Sequence, residues 1–137
     1  MHARSSFDYA IVRVVPRVER GEFVNAGVVL FCRTRRFLAA RIELDRARLA
    51  ALAPWLDLDE IEQHLAVFPL VAAGGPQGGP IGLLPQPDRF HWLVAPRSTM
   101  IQISPTHAGL CDDPQAALEE LMDMLVRPSV RPIAAHG

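Results

Sequence analysis

The sequence predicts an α+β fold, a single domain in which an antiparallel sheet of about four strands is covered on one face by two or three helices. Three observations lead there. Residues 9–32 hold two runs rich in Val, Ile, Leu and Phe around a polar loop, the pattern of a strand pair. Leu58, Ile61, Leu65 and Phe68 recur at helical spacing, one apolar stripe of an amphipathic helix. Ser98 to Ser104 alternates again in the strand manner, which adds a strand to the sheet after the helices.

With 137 residues, half of them hydrophobic, the chain is long enough to bury a core without disulfides or metal. No apolar run approaches the roughly 18–20 residues that cross a bilayer. Met1 to Ser6 leads directly into a strand rather than a signal peptide, so a cytoplasmic location is expected. Cys32 and Cys111 fit that compartment as free thiols, the first in the core and the second in an exposed loop. A net charge of −1, with no basic stripe interleaved with aromatic residues, does not point to nucleic acid as a partner. All 14 basic residues are arginine, which excludes lysine amine chemistry and suits every cation to bidentate anion contacts.

Ile11–Val15 and Phe23–Cys32 supply the first two strands, with Pro16 to Glu22 as the loop. With Val15 opposite Phe23, Val14 faces Val24, Val12 faces Ala26 and Ala10 faces Val28, which gives one apolar face. Arg13 and Asn25 then stand side by side on the other face. Phe37–Leu44 is the third strand. Pairing Leu38 with Leu30, Ala40 with Val28 and Ile42 with Ala26 puts Arg41 opposite Gly27 and Glu43 opposite Asn25. Asp45 caps a helix over 46–53, stopped by Pro54. Asp57 and Glu60 have capping-box spacing at the start of the next helix, which Pro69 ends or kinks. Gly74 to Pro80 reads as a flexible surface loop without the spacing of a phosphate-binding motif. Asp88–Val94 is a short helix or extended segment. Asp113 and Pro114 open a closing helix that turns Leu118, Leu121, Met122 and Leu125 inward and leaves Glu119, Glu120 and Asp123 to water. The domain is expected to span 1–126, with 127–137 a mobile tail.

Two sets of polar residues carry the functional expectation. The second sheet face would collect Arg13, Asn25, Arg41 and Glu43, read either as an internally satisfied lattice of ion pairs or as the open wall of a groove. Arg97 beside Ser98 and Thr99 offers a fork of donors and two hydroxyls, the chemistry of a phosphate or carboxylate site. The alternative there is an Arg97 paired with a carboxylate and hydroxyls that cap a turn. His107, Cys111, Asp112 and Asp113 lie close in sequence but lack a second ligand pair, and Asp113 is accounted for as a cap, so neither metal nor cofactor is expected.

Glu19-Arg20-Gly21-Glu22-Phe23-Val24-Asn25-Ala26-Gly27-Val28 resembles the start of the bacterial domain of unknown function 3037 family. Ala95 to Thr99, continued through His107 to Pro114, gives a second match, so the resemblance covers about residues 7–126. It carries no reaction. It implies a genomic association with HipA-type kinases, and hence such a kinase as a candidate partner. The expected function is a non-enzymatic binding or accessory module that holds a partner protein or an anionic ligand. Its candidate contact residues are Arg13, Arg20, Glu22, Asn25, Arg41, Arg97, Ser98, Thr99, Gln102 and His107. The rival is a small phosphoryl or nucleotidyl enzyme, with Arg13, Arg97 and Ser98 around a phosphate and His107 or Glu22 as acid or base. That rival requires these groups to converge in one pocket. Self-association is left open.

Overall fold

A computed structural model of the chain describes residues 4–128. Strands β1 (Ser5–Val14), β2 (Val24–Cys32), β3 (Phe37–Ile42), β4 (Ile101–Ile103) and β5 (His107–Cys111) form one antiparallel sheet. β1 lies in the middle. β2 and then β3 lie on one side of it, and β4 and β5 share its other edge. β4 runs beside Val12–Val14 and β5 beside Ser5–Tyr9.

The strand expected over 98–104 shortens to Ile101–Ile103, and His107–Cys111, in the segment read as a loop before the last helix, adds a fifth strand to the sheet. The shortening comes from side-chain hydroxyls. Ser98 Oγ accepts from the amides of Met100 and Ile101 at 3.1 and 2.9 Å, so it caps a turn and delays the strand. Ser104 breaks the strand at its other end. Its buried Oγ accepts from the Ile11 amide at 2.8 Å and donates to the Pro105 carbonyl at 2.9 Å, standing in for a ladder acceptor where the chain turns out through proline.

The strand pair 9–32 follows the expected register only near its loop. Arg13 faces Asn25 and Val14 faces Val24 as predicted, but Val12 faces Gly27, because Ala26 is an extra residue in a β-bulge. Beyond the bulge every pair is displaced by one, with Ala10 opposite Val29 and Tyr9 opposite Leu30. The bulge also switches the face of each side chain. Val24 and Ala26 share a core with Val29 and Phe31, whereas Val28, Leu30 and Cys32 turn to the opposite face. In β3, Leu38 and Ala40 point into the first core as expected, but opposite Phe31 and Val29, and Arg41 faces Val28 rather than Gly27.

The helices cover both faces, not one. Helices α1 (Arg46–Leu52), α2 (Leu58–Ala73), α3 (Gly79–Gly82) and α4 (Gln86–Val94) lie on the first face, where Leu49, Leu65, Phe68 and Leu93 meet Val12, Val14, Val29 and Phe31. Helix α5 (Pro114–Leu125) lies on the second, where Leu118 and Met122 are fully buried against Phe7, Val28, Leu30 and Cys32. Cys111 belongs to this second core and is buried, not exposed in a loop. The N-caps match expectation: Asp45, Asp57 and Asp113 accept from the amides of Arg48, Glu60 and Gln115.

Pro69 does not end α2, which continues to Ala73. A proline inside a helix costs about 3 kcal/mol. Leu65, Phe68, Val71 and Ala72 are all buried along the same stretch, and at about 1.5–3 kcal/mol for each large side chain their burial offsets that cost. The helix ends at Gly74, where Arg89 reaches across from α4 and donates to the Val71 and Ala72 carbonyls at 3.1 and 2.8 Å, a cation at a helix C-terminus. The glycine-rich segment that follows is folded rather than loose. Pro76–Gly78 makes a 3-10 turn, α3 follows, and the Gly75 amide donates to the Gly82 carbonyl at 2.8 Å. Asp88–Val94, left between helix and extended chain, is helical within α4. The predicted mobile tail falls mostly on residues 129–137, which lie outside the described residues.

Candidate functional site

Among the predicted contact residues, those on the second sheet face are brought together, but under a helix. Asn25 Nδ2 donates to the Leu125 carbonyl in the last turn of α5 at 2.9 Å. Arg41 pairs with Glu119 of α5, and Arg127 pairs with Glu43, Glu119 and Asp123. Hydrogen bonds that Arg127 donates to Glu43, then to Asp123 and Glu119, raise it above the usual arginine value. The second face is thus a clamp between β3 and α5 rather than an open wall, and the ion-pair lattice is the reading that fits Arg41 and Glu43, while Arg13 stays outside it. Arg13 stays at its rim, with its guanidinium 4.4 Å from the centroid of Phe23. Arg13 Nε and Asn25 Oδ1 are buried without a hydrogen-bond partner among the described residues. Gln102 stands beside Arg13 across the β1–β4 pair, and its Nε2 donates to the Thr99 carbonyl at 2.7 Å. His107 is exposed on β5, its ring 5.3 Å from that of Tyr9. Arg20 and Glu22 pair with each other in the exposed β1–β2 loop, and the Glu22 hydrogen bond raises Arg20.

Arg97 lies elsewhere. Its guanidinium sits 4.2 Å from the Trp92 ring and 4.8 Å from that of Phe68, both on the helices of the first face. The sheet therefore stands between Arg13 and Arg97, and the convergence that a shared phosphate site requires is not formed. Arg97 instead lies at a groove between α2 and the segment 97–101. The groove has two lobes. One, of about 250 Å³, is bounded by Leu56, Ile61 and Met100, with Asp57 and Glu60 at its end. The other, of about 230 Å³, is bounded by Val67, Phe68, Trp92 and Arg97. His64, Ser98 and Ile101 line both lobes, which therefore lie side by side.

Local structure explains how the groove forms. The helical spacing that buries Ile61, Leu65 and Phe68 leaves His64 and Val67 on the adjoining side of α2, facing the incoming strand. Pro96 and the Ser98 turn carry the chain off α4 and over that side. Arg97 Nη2 donates to the Trp92 carbonyl, which fixes the side chain over the two rings. Burial against them holds its guanidinium below the usual arginine value, but an arginine there remains charged near neutral pH. Among the described residues no carboxylate pairs with it. The sequence pairs Arg97 with Ser98, but it does not place His64 or Trp92 beside them. Their contribution to one groove had no signal in either segment alone.

Among the described residues no three His, Cys, Asp or Glu side chains are grouped so as to hold a metal ion. Asp113 caps α5, and Asp112 pairs with Arg4 at 4.0 Å. No helix there is long and apolar enough to cross a membrane. Comparison with known families finds one described as a protein of unknown function, DUF3037, over residues 9–126. No curated protein and no solved structure matches the chain.

Proposed function

Because the chain belongs to the DUF3037 family, whose description assigns no activity, the geometry carries the functional reading, and we propose that the protein is a binding module for a segment of a partner protein. The segment has apolar side chains that enter the two lobes beside α2 and a carboxylate that pairs with Arg97. One observation supports this above the others: a guanidinium fixed over Trp92 and Phe68, without a carboxylate of its own, at the side of an apolar groove. A stacked arginine is pre-organised, so a bidentate carboxylate contact orders little further freedom. The apolar lining of Leu56, Ile61, Val67 and Met100 supplies the contact area that such a pair lacks.

A HipA-type kinase is the first partner to test, on the strength of the family resemblance. In isothermal titration of the full chain against such a kinase, Arg97→Ala is expected to weaken binding about fivefold to tenfold, the loss of roughly 1–1.4 kcal/mol from a partly exposed charge pair. Val67→Asp is expected to weaken it further, because it charges an exposed apolar position on the groove. Val67→Asp should keep the wild-type melting temperature, and Arg97→Ala should stay folded with a melting temperature lower by a few degrees, the loss of its contacts with Trp92 and Phe68. Unchanged affinity in both, with Arg13→Ala lowering it instead, would move the site to the α5 side of the sheet and reject this reading.

A further inference from the structure

β5 presents an edge on which the sheet can grow. The Ser104 amide donates to the Ile11 carbonyl and the Val15 amide to the Met100 carbonyl, so odd-numbered residues of β1 turn their main chain toward β4 and β5. Continued along β1, this alternation engages His107, Gly109 and Cys111 opposite Tyr9, Phe7 and Ser5. It leaves the N–H and C=O groups of Ala108 and Leu110 directed away from the sheet.

Sheet edges are usually guarded by charge, proline, a bulge or a covering element. β4 has only three residues and ends near Pro105. On β3, Leu38 and Ala40 are nearly covered. Among the described residues β5 has no such guard. Its sequence, His-Ala-Gly-Leu-Cys, carries no permanent charge, and Leu110 is 63% exposed.

We propose that this edge pairs with the same edge of a second copy of the chain, antiparallel, about a twofold axis at Gly109. The strand is complementary to itself in that register, which is what an isologous interface requires. Ala108 and Leu110 exchange main-chain hydrogen bonds with Leu110 and Ala108 of the second copy. Each exposed leucine then lies across from an alanine on the same face, a large side chain against a small one. Gly109 meets its counterpart at the close, non-hydrogen-bonded position, and the room its missing Cβ leaves is taken by the Phe7 ring of its own chain. His107 falls opposite the second copy's Cys111, and no like charges meet within the strand pair. A register shifted to either side would leave part of β5 unpaired. One strand pair buries less than the roughly 1,200–2,000 Å² of a stable interface, so the dimer is a weak one, in the micromolar range or above.

Sedimentation velocity of the full chain between about 1 and 500 μM, the span in which such a constant shows, tests this. The weight-average mass should rise with concentration from 15.1 kDa toward twice that value. Leu110→Lys sets ammonium groups where the leucines would pack and should weaken the dimer about tenfold or more. Ala108→Pro removes an outward N–H and spares the ladder to β1, so it should act in the same direction. Circular dichroism and thermal melting of both variants should match the wild type. If Ala108→Pro does not fold, Leu110→Lys at its exposed position carries the test alone. A monomer at every concentration overturns the proposal, as does a dimer that a folded Leu110→Lys leaves unchanged.

Discussion

Replacing Gly27 by alanine tests the bulge on which the two-faced core depends. A methyl group at that position would lie 2.4 Å from the Arg41 carbonyl oxygen and 2.5 Å from Ile42 Cδ1. Comfortable carbon–oxygen contacts begin near 3.3 Å, so the backbone contact is short by about 0.9 Å. Ile42 can turn its terminal methyl away. The Arg41 carbonyl cannot, because Arg41 is held in register opposite Val28. β3 must therefore move away from β2, and with it the strand that carries Leu38 and Ala40 into the first core. Overpacking of this kind costs about 1–3 kcal/mol, and the upper half of that range applies where backbone has to yield. For a domain of this size, at roughly 4 °C per kcal/mol, the melting temperature should fall by about 8–12 °C. Gly21 serves as the control. Its φ of 67° strains an alanine, but nothing lies within 4 Å of the added methyl, so Gly21→Ala should cost only about 1–2 kcal/mol. Thermal and urea denaturation followed by circular dichroism measure both variants, with unchanged m-values expected. A Gly27→Ala protein that melts no lower than Gly21→Ala refutes the account of the bulge.

Four further expectations follow from the same contacts. Met122→Ala and Leu118→Ala should each cost about 2–5 kcal/mol in urea unfolding, since both side chains are fully buried beneath α5, and a loss under 1 kcal/mol would mean that this helix does not cover the second face. Ser104→Ala strands the buried Ile11 amide and should cost about 1–3 kcal/mol by the same assay, whereas an apolar replacement that proved neutral would show the hydroxyl to be dispensable. Burial, with Cys32 close by, holds the Cys111 thiol above its ordinary value, so the folded chain keeps that proton when the unfolded chain has lost it. Stability should then be level below about pH 8.5 and fall as the pH rises past it, a slope that Cys111→Ala should flatten and that, if unaltered in the variant, belongs to another group. Arg127→Met should speed amide exchange in the last turn of α5 and blunt its response to salt, because three carboxylates meet at that side chain; exchange equal to wild type would show the clamp to be inert.

The features that could be read from the chain are those fixed within a few residues. Asp45, Asp57 and Asp113 were legible as caps because a cap needs only the next turn of helix. The pair Arg13–Asn25 was legible because the β1–β2 loop sets it. The strand beyond was not. Ala26 to Cys32 is apolar at every position save Gly27, and a period of two cannot be read in a run that does not alternate. Such a run is itself the mark of a strand buried on both faces, which β2 is. The missed signal was continuity, not alternation.

The candidate groove shows the same division. Arg97-Ser98 stood out because an arginine beside a hydroxyl is chemistry visible in adjacent residues. His64 and Trp92 join it only because α2 and α4 lie against each other on the first face. Arg13, by contrast, was grouped with Arg97 on residue type and is separated from it by the sheet.

By itself, the sequence determined strands β1 to β3, helices α1, α2 and α5 with their caps, the apolar stripe of α2 and the polar character of the second sheet face, since each depends on propensity and periodicity over a short window. Only the tertiary structure decided where those pieces meet: the bulge at Ala26, the seating of α5 over Asn25 and Arg41, and the placing of Arg97 beside His64. Those are contacts between residues far apart in the chain, selected by the fit of surfaces that no local pattern encodes.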